Sequence, residues 1–184
     1  PSVHICTPPH THYRIVRKLL KAGKNVLCEK PLCLDLKEAA DLENLSASLN
    51  VKCGINLNVR FHQMSDRMKN LVQSSNFGFI RLVHGQYLQQ FHLLPCPYGW
   101  RYIPEIAGPM RAVTEIGTHW FDIIQYVTGE KITDVSTLFG NFQPERIVRD
   151  GIMYPAGSSE EGNAVTVTSE DAALITFRMQ GGAI

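Results

Sequence analysis

The sequence lacks the features that mark several classes of protein. Its five cysteines are odd in number and form no C-x-x-C pair, so neither a disulfide framework nor a zinc finger is indicated. The formal net charge is only +1, which provides no basic field for a nucleic-acid backbone. The longest stretch without Asp, Glu, Lys or Arg, residues 82–100, contains His84, His92 and Pro95, which a bilayer core would reject. We therefore expect no nucleic-acid partner, no membrane span and a reducing, cytoplasmic location.

The composition that is present, with 44% hydrophobic and 19% charged residues, is typical of a globular protein with a real core. Over the first part of the chain, short apolar runs alternate with amphipathic helical patterns. The pattern predicts strands at 2–6, 26–28 and 51–57, separated by helices at 13–20 and 35–49. Such a βαβαβ order predicts a parallel sheet covered on both faces, which is half of a doubly wound α/β domain at residues 1–57.

The pattern changes after residue 57. A helix is predicted at 64–73, a long strand at 79–90, a loop at 91–110, a helix at 114–128, and strands at 135–142, 164–168 and 172–179. Residues 58–184 are thus expected to form an α+β domain with an open, largely antiparallel sheet. The chain starts at Pro1, directly before a strand, and ends just after one, so we expect a piece of a longer protein.

Polar residues follow two neighbouring strands of the expected parallel sheet. One group is Thr7-Pro8-Pro9 and the other is Glu29-Lys30-Pro31. The carboxyl ends of parallel strands form the edge where ligands bind, so these loops predict a crevice there. Burial would lower the pKa of Lys30 and suit it to move a proton, although a solvated turn lysine is an equal alternative. The X-Pro bond restricts the turn and can be cis.

A second group of reactive side chains lies on the helix at 114–128. At helical spacing Glu115, His119 and Asp122 can line one face, which makes an acid and base cluster with His119 as the base. The same spacing also suits a metal ion, and a helix with acids near its dipole and one structural histidine is the plainest reading.

Two arginines lie close to these motifs. Arg60 follows the last strand of the parallel sheet and is either a substrate anchor or, as we favour, half of an ion pair. Arg101, beside Trp100 in the long loop, forms with it a pair that could stack on a planar ligand or pin the loop.

Taken together, three motifs resemble the Gfo/Idh/MocA oxidoreductase family in order and spacing. They are Thr7-Pro8-Pro9-x-x-His12, then Ala22-Gly23-Lys24-x-Val26-x-Cys28-Glu29-Lys30-Pro31, then Glu115-x-Gly117-x-His119-x-x-Asp122. The resemblance implies a Rossmann-type domain followed by a substrate domain, and hydride transfer between NAD or NADP and a sugar, cyclitol or related polyol. It also implies a homodimer or homotetramer formed through the sheet of the second domain.

The family roles carry over to matching positions. Lys30, His119 and Glu115 would be catalytic, with Glu115 in the family's usual Asp position, and no metal is implied. The cofactor would be bound by residues of the two loops and their surroundings: Thr7, Pro8, Pro9, His12, Glu29, Lys30, Trp100 and Arg101. The substrate would meet Lys30, Arg60, Arg111, His119 and Asp122.

The sequence departs from the family pattern at three points, one of which is Gly108-Pro109-Met110-Arg111 in place of a more glycine-rich approach to the helix, so that Arg111 would favour an anionic substrate. It contains no G-x-G-x-x-G turn, so we expect this chain to bind dinucleotide poorly and to be inactive alone. Glu115 is one methylene longer than Asp, which can misplace a proton relay. A non-catalytic, dinucleotide-binding sensor on the same fold is therefore the alternative function.

Overall fold

The computed structural model describes residues 1–155 and 157–184. Its first part is a three-stranded parallel sheet whose strands lie side by side in chain order, as the alternating pattern predicted. Within the described residues no helix is long and apolar enough to cross a membrane. The elements of this first part are β1 (Ser2–Ile5), α1 (His12–Lys21), β2 (Asn25–Cys28), α2 (Leu36–Ser48) and β3 (Cys53–Ile55).

Both helices of the parallel unit pack on the same face of its sheet. Val16 and Leu20 of α1 and Leu42 of α2 form one core with the strands, and Arg17 on α1 pairs with Asp41 on α2 at 2.9 Å. Right-handed crossovers that add strands in one direction place their helices on one side. The expectation of helices on both faces is therefore not met within the described residues, where Leu27 of β2 remains exposed on the other side.

The second part of the chain combines helices with antiparallel sheets, as expected. One sheet has the order β4-β7-β6-β8, and β5 pairs with β9 in a separate two-stranded sheet. The elements are α3 (Gln63–Val72), β4 (Cys96–Pro97), α4 (Pro104–Ala107), α5 (Thr118–Thr128), β5 (Ile132–Gly140), β6 (Glu145–Arg149), β7 (Ile152–Pro155), β8 (Asn163–Thr166) and β9 (Ala172–Met179).

The sequence reading missed the hairpin of β6 and β7. Its turn is Asp150-Gly151, where both residues have positive φ, 50° and 76°. An Asp-Gly pair between short apolar runs is a hairpin signal because such a turn needs positive φ at both central positions. That signal was present in the sequence.

The strand predicted at 79–90 is not formed as a ladder strand. Two backbone hydrogen bonds tie this segment to the last residue, from Val83 N–H to the Ile184 carbonyl at 2.8 Å and from Ile184 N–H to the Arg81 carbonyl at 3.3 Å. A strand needs a continuous neighbour to satisfy its backbone groups, and two bonds to one residue do not extend into a ladder.

The π-helical turn Val113–Gly117 and α5 together form one helical segment. A buried charge network joins the start of this helical segment to the sheets. Asp171 pairs with the guanidinium groups of Arg111 and Arg146, whose exposed fractions are 2% and 1%. Its other oxygen accepts backbone N–H bonds from Phe142 and Gln143 at 2.7 and 3.0 Å. Burial raises the pKa of Asp171, but the bonds from Arg111 and these two amides outweigh it and lower the pKa. Two buried cations thus depend on one carboxylate.

We predict that Asp171→Asn lowers the free energy of unfolding by about 3–5 kcal/mol, because it leaves both buried guanidinium groups without their anion. The measurement is urea denaturation followed by circular dichroism. Asp150→Asn is the matched control: the Asp150 side chain is 94% exposed, so its loss should cost less than about 0.5 kcal/mol. Similar values for the two variants would contradict the prediction.

Candidate active site

The loops after β1 and β2 meet in a crevice of about 220 Å³ at the carboxyl edge of the parallel sheet. Residues that the sequence assigned to a cofactor line it together with part of the long loop: Thr7, Pro9, Glu29, Lys30, Trp100 and Arg101. Pro8 lies in the same loop, where its carbonyl accepts a hydrogen bond from Thr11 N–H at 3.0 Å. Loops 22 residues apart in sequence thus form one wall, because parallel strands end at the same edge.

His12 lies beneath the crevice rather than in its lining. It is buried, and its two ring nitrogens face carbonyl oxygens of both loops, Nε2 at 2.6 Å from Thr7 and Nδ1 at 2.7 Å from Pro31. The Lys30–Pro31 peptide bond is cis. His12 therefore ties one loop to the other and supports the crevice from below.

Lys30 reaches from its loop to the second part of the chain. Its Nζ donates a hydrogen bond to the backbone carbonyl of Glu115 at 2.9 Å. Burial lowers the pKa of Lys30, and the charge of Arg101 acts in the same direction, while Glu115 and Glu29 oppose it with the smaller effect. A lysine with a lowered pKa gives up its proton more readily than a solvated one.

The carboxylate of Glu115 contacts two side chains of the long loop. Its Oε1 lies 2.7 Å from Arg101 Nε, and its Oε2 lies 3.1 Å from His92 Nε2. Burial raises the pKa of Glu115, but the hydrogen bond with His92 and the charges of Arg101 and Lys30 outweigh it, and the pKa is lowered. The group is held as a carboxylate between two donors.

The Glu115 carboxylate is bound by Arg101 and His92, and within the described residues no hydrogen bond joins it to His119. The backbone over Val113–Gly117 is a π-helical turn, and the regular helix α5 starts only at Thr118. A π turn closes its hydrogen bonds over one residue more than an α turn and is frequent at functional sites. The predicted 114–128 helix is otherwise confirmed, and it ends at Gly129 with a φ of 77°.

His119 remains close to the crevice lysine. Its Nδ1 is shielded from solvent and has no hydrogen-bond partner among the residues that the structure describes. Burial lowers the pKa of His119, the charge of Lys30 lowers it further, and Asp122 and Glu29 oppose these effects. The ring therefore favours its neutral form, which can accept a proton.

Arg60 and Asp122 face each other. Arg60 Nε donates to Asp122 Oδ2 at 2.9 Å, and the second guanidinium nitrogen also contacts the carboxylate. The ion-pair interpretation of Arg60 therefore fits the structure better than a free anchor. The metal alternative is weakened as well, because this pair engages Asp122 and the contacts described above engage Glu115.

Arg111 lines the crevice, but its charge is already used. Its guanidinium contacts Asp171 and donates from Nε to the Ser169 hydroxyl at 3.2 Å. Its backbone N–H, together with that of Val113, donates to the Glu170 carboxylate at 2.9–3.0 Å. Arg111 thus fixes the start of the helical segment, and little of its charge is left to favour an anionic substrate.

The sequence reading missed His92. It lies in the long loop, where no periodicity relates it to Glu115, so only the folded chain brings the two together. It lines a second cavity of about 240 Å³, which shares Arg111 and Glu115 with the crevice. Gln143 and Arg146 also line this second cavity, and the buried Oε1 of Gln143 has no hydrogen-bond partner within the described residues.

Both parts of the chain match known families. Residues 2–57 match the oxidoreductase family with the NAD-binding Rossmann fold, and residues 65–184 match the GFO/IDH/MocA C-terminal domain. The resemblance drawn from the three motifs and the expected fold class are thereby confirmed.

Individual proteins agree with these matches. Levoglucosan dehydrogenase of Pseudarthrobacter phenanthrenivorans is 29% identical over 190 residues, covering 100% of this chain and 48% of that protein. A crystal structure of an oxidoreductase domain protein from Kribbella flavida is 31% identical with a TM-score of 0.84, covering 98% and 46%. Levoglucosan dehydrogenase in complex with NADH and L-sorbose is 28% identical with a TM-score of 0.85, covering 99% and 46%. The chain spans about half the length of these relatives.

We predict that His119 titrates below the range of an exposed histidine and that Lys30→Met raises its pKa. The substitution removes the charge of Lys30, which lowers the pKa of His119, but burial still lowers it. The pKa should therefore rise only part of the way to that of an exposed histidine. The measurement is an NMR titration of the histidine ring signals. Lys131→Met, at an exposed lysine before β5, should leave the His119 curve unchanged. An unchanged curve in the Lys30 variant would contradict the prediction.

Proposed function

We propose that the chain is part of an enzyme that interconverts a sugar or polyol hydroxyl and its carbonyl form with NAD(H) or NADP(H). The proposal starts from the family, because the chain belongs to the Gfo/Idh/MocA oxidoreductases. The observation that carries the proposal is the placement of Lys30. It stands in the crevice at the carboxyl edge of the sheet, with a lowered pKa and next to the segment that bears Glu115 and His119.

The crevice suits the nicotinamide end of the cofactor. It lies where dinucleotides bind open parallel sheets. In its wall Arg101 Cζ lies 4.5 Å from the centroid of the Trp100 ring, and this stacked pair offers a flat surface to a planar ring. Thr7 and Glu29 add a hydroxyl and a carboxylate for ribose and amide groups. We assign residues 1–57 to the cofactor and 58–184 to the substrate and subunit contacts.

The proposed reaction needs a hydride acceptor and a base. Bound NAD⁺ or NADP⁺ would supply the hydride acceptor, so that the C–H bond of the carbinol carbon could break as the C=O bond forms. The hydroxyl proton passes to Lys30 Nζ or to His119. Their lowered pKa values favour the neutral forms that can accept it. Glu115 holds Lys30 through its backbone carbonyl rather than through its carboxylate.

A neutral, hydroxyl-rich substrate fits the side chains around the site. Asp122 is paired with Arg60, and Arg111 is held by Asp171, so the charges near the crevice are largely compensated. The curated relative is named as a dehydrogenase of levoglucosan, and one of the solved structures contains L-sorbose. Both compounds are uncharged sugars. These facts support a sugar or polyol over an anionic substrate, without choosing one compound.

A non-catalytic dinucleotide-binding regulator on this fold is the second candidate. The observation that favours it is the orientation of the Glu115 carboxylate, which contacts Arg101 and His92 instead of Lys30. A regulator would bind the cofactor without turning over a substrate. The two functions therefore separate in one assay of binding and rate.

We also propose that a second copy of the chain covers the outer face of the β5–β9 sheet. Leu138 and Leu174 stand opposite each other in register there, and they are 72% and 68% exposed. An uncovered apolar pair on a two-stranded sheet is a liability in water.

We predict that light scattering gives twice or four times the chain mass, and that Leu138→Glu with Leu174→Glu lowers the mass towards one chain. The two carboxylates would have to be desolvated at the interface. Leu36→Glu, which adds a carboxylate at an exposed leucine of α2, should leave the mass unchanged. A monomeric mass for the unmodified protein would refute the proposed assembly.

We predict that Lys30→Met lowers the rate of polyol oxidation by about 10²–10⁴-fold while NADH binding persists, since the proton acceptor is lost but the crevice remains. The rate in the unmodified protein should fall as the pH drops through the lowered pKa of His119. Initial rates on a panel of sugars and polyols, with NAD⁺ and NADP⁺, measure both.

The assay uses the 184-residue chain and a longer form with a glycine-rich turn placed upstream. Weak cofactor binding and no turnover by the short chain remain our expectation, because its sequence contains no G-x-G-x-x-G. Lys131→Met is the control with an unchanged rate. Cofactor binding by the longer form without turnover of any panel member would favour the regulator.

A further inference from the structure

A row of hydrogen bonds leads from the core of the second part of the chain to Glu115. The Tyr102 hydroxyl contacts His92 Nδ1, and His92 Nε2 lies 3.1 Å from Glu115 Oε2. On its other side the Tyr102 hydroxyl lies 3.3 Å from Cys96 Sγ. None of these side chains except Glu115 was assigned a role by the sequence motifs.

The chemistry of the end groups fixes the direction of these bonds. A carboxylate only accepts, so His92 Nε2 carries the proton and donates it to Glu115. In the neutral ring Nδ1 is then the acceptor, and the Tyr102 hydroxyl donates to it. Burial, and next the hydrogen bond with Cys96, raise the pKa of Tyr102, so the phenol keeps the proton it donates.

His92 is itself held firmly. Its backbone carbonyl accepts a hydrogen bond from Arg146 Nη1 at 2.8 Å, and Arg146 is buried against Asp171. Its ring packs edge-on against Tyr102, with centroids 5.2 Å apart and planes at 88°. The imidazole therefore presents Nε2 at a fixed place on the boundary between the crevice and the second cavity.

We propose that His92 is a positioning residue, which anchors the Glu115 carboxylate from the second cavity and so fixes the backbone carbonyl that holds Lys30. The effect on Lys30 rests on the function proposed above, whereas the state of the His92 ring does not. His92 acts through Glu115 and is not itself placed at the reacting atoms. Arg101 holds the other carboxylate oxygen, so the loss of His92 leaves Glu115 tethered at one point only.

The first test reads the ring directly in the 184-residue chain. ¹⁵N NMR of His92 should show a protonated Nε2 and an unprotonated, hydrogen-bonded Nδ1, and Tyr102→Phe should shift the Nδ1 signal by removing its donor. A protonated Nδ1 with a bare Nε2, or a signal that Tyr102→Phe does not move, would overturn the proposed arrangement. This measurement requires neither cofactor nor turnover.

The second test uses the longer form in the rate assay. His92→Ala should lower kcat about 10- to 100-fold with little change in KM, because a displaced proton acceptor slows the chemical step more than binding. His92→Gln, whose amide can still donate to Glu115, should restore most of the rate. His84→Ala, at an exposed histidine within residues 79–90, is the control.

The outcomes of the two tests are separable. If His92→Ala and His84→Ala have equal kcat values, or if His92→Gln is as slow as His92→Ala, the positioning role is wrong. If the unmodified longer form turns over no substrate, the proposed function fails, while the NMR result still decides whether His92 anchors Glu115.

Discussion

The geometry of the crevice depends on the hydrogen bond from Lys30 to the backbone carbonyl of Glu115. It joins a loop of the parallel unit to a turn of the second part of the chain, 85 residues later. A carbonyl acceptor has no rotamers of its own, so the position of the ammonium group is set by the course of the backbone. Whatever fixes these two backbone segments therefore also fixes the lysine.

Two buried polar groups do this fixing. On one side His12 spans the carbonyl oxygens of Thr7 and Pro31, which locks the loop that carries Lys30. On the other side the Glu170 carboxylate accepts backbone N–H bonds at the start of the helical segment, at Arg111 and Val113. Both groups act on main-chain atoms, whose conformations are costly to change once they are hydrogen-bonded and buried. The reactive lysine thus lies between two rigid supports.

The sequence predicts the meeting of the two loops, but it does not predict the π turn or the contact of His92, and each case has a physical reason. Parallel strands end at one edge, so the meeting of Glu29-Lys30-Pro31 with Thr7-Pro8-Pro9 follows from the strand pattern alone. The π turn could not be predicted, because residues four apart lie near one face in an α turn and in a π turn alike. The spacing of Glu115 and His119 therefore does not distinguish the two. The contact between His92 and Glu115 could not be predicted either. It joins an irregular loop to a helical turn, so no repeating spacing in the sequence relates the two residues.

The extra methylene of Glu115 has a consistent place in this geometry. An aspartate carboxylate would end about one carbon–carbon bond, roughly 1.5 Å, closer to its own backbone. Glu115 instead extends to Arg101 and His92, and the pKa-lowering effects of these donors exceed the pKa-raising effect of burial. The backbone carbonyl of the same residue holds Lys30. Two groups of one residue thus take separate roles: the carboxylate anchors the turn and the backbone carbonyl places the lysine.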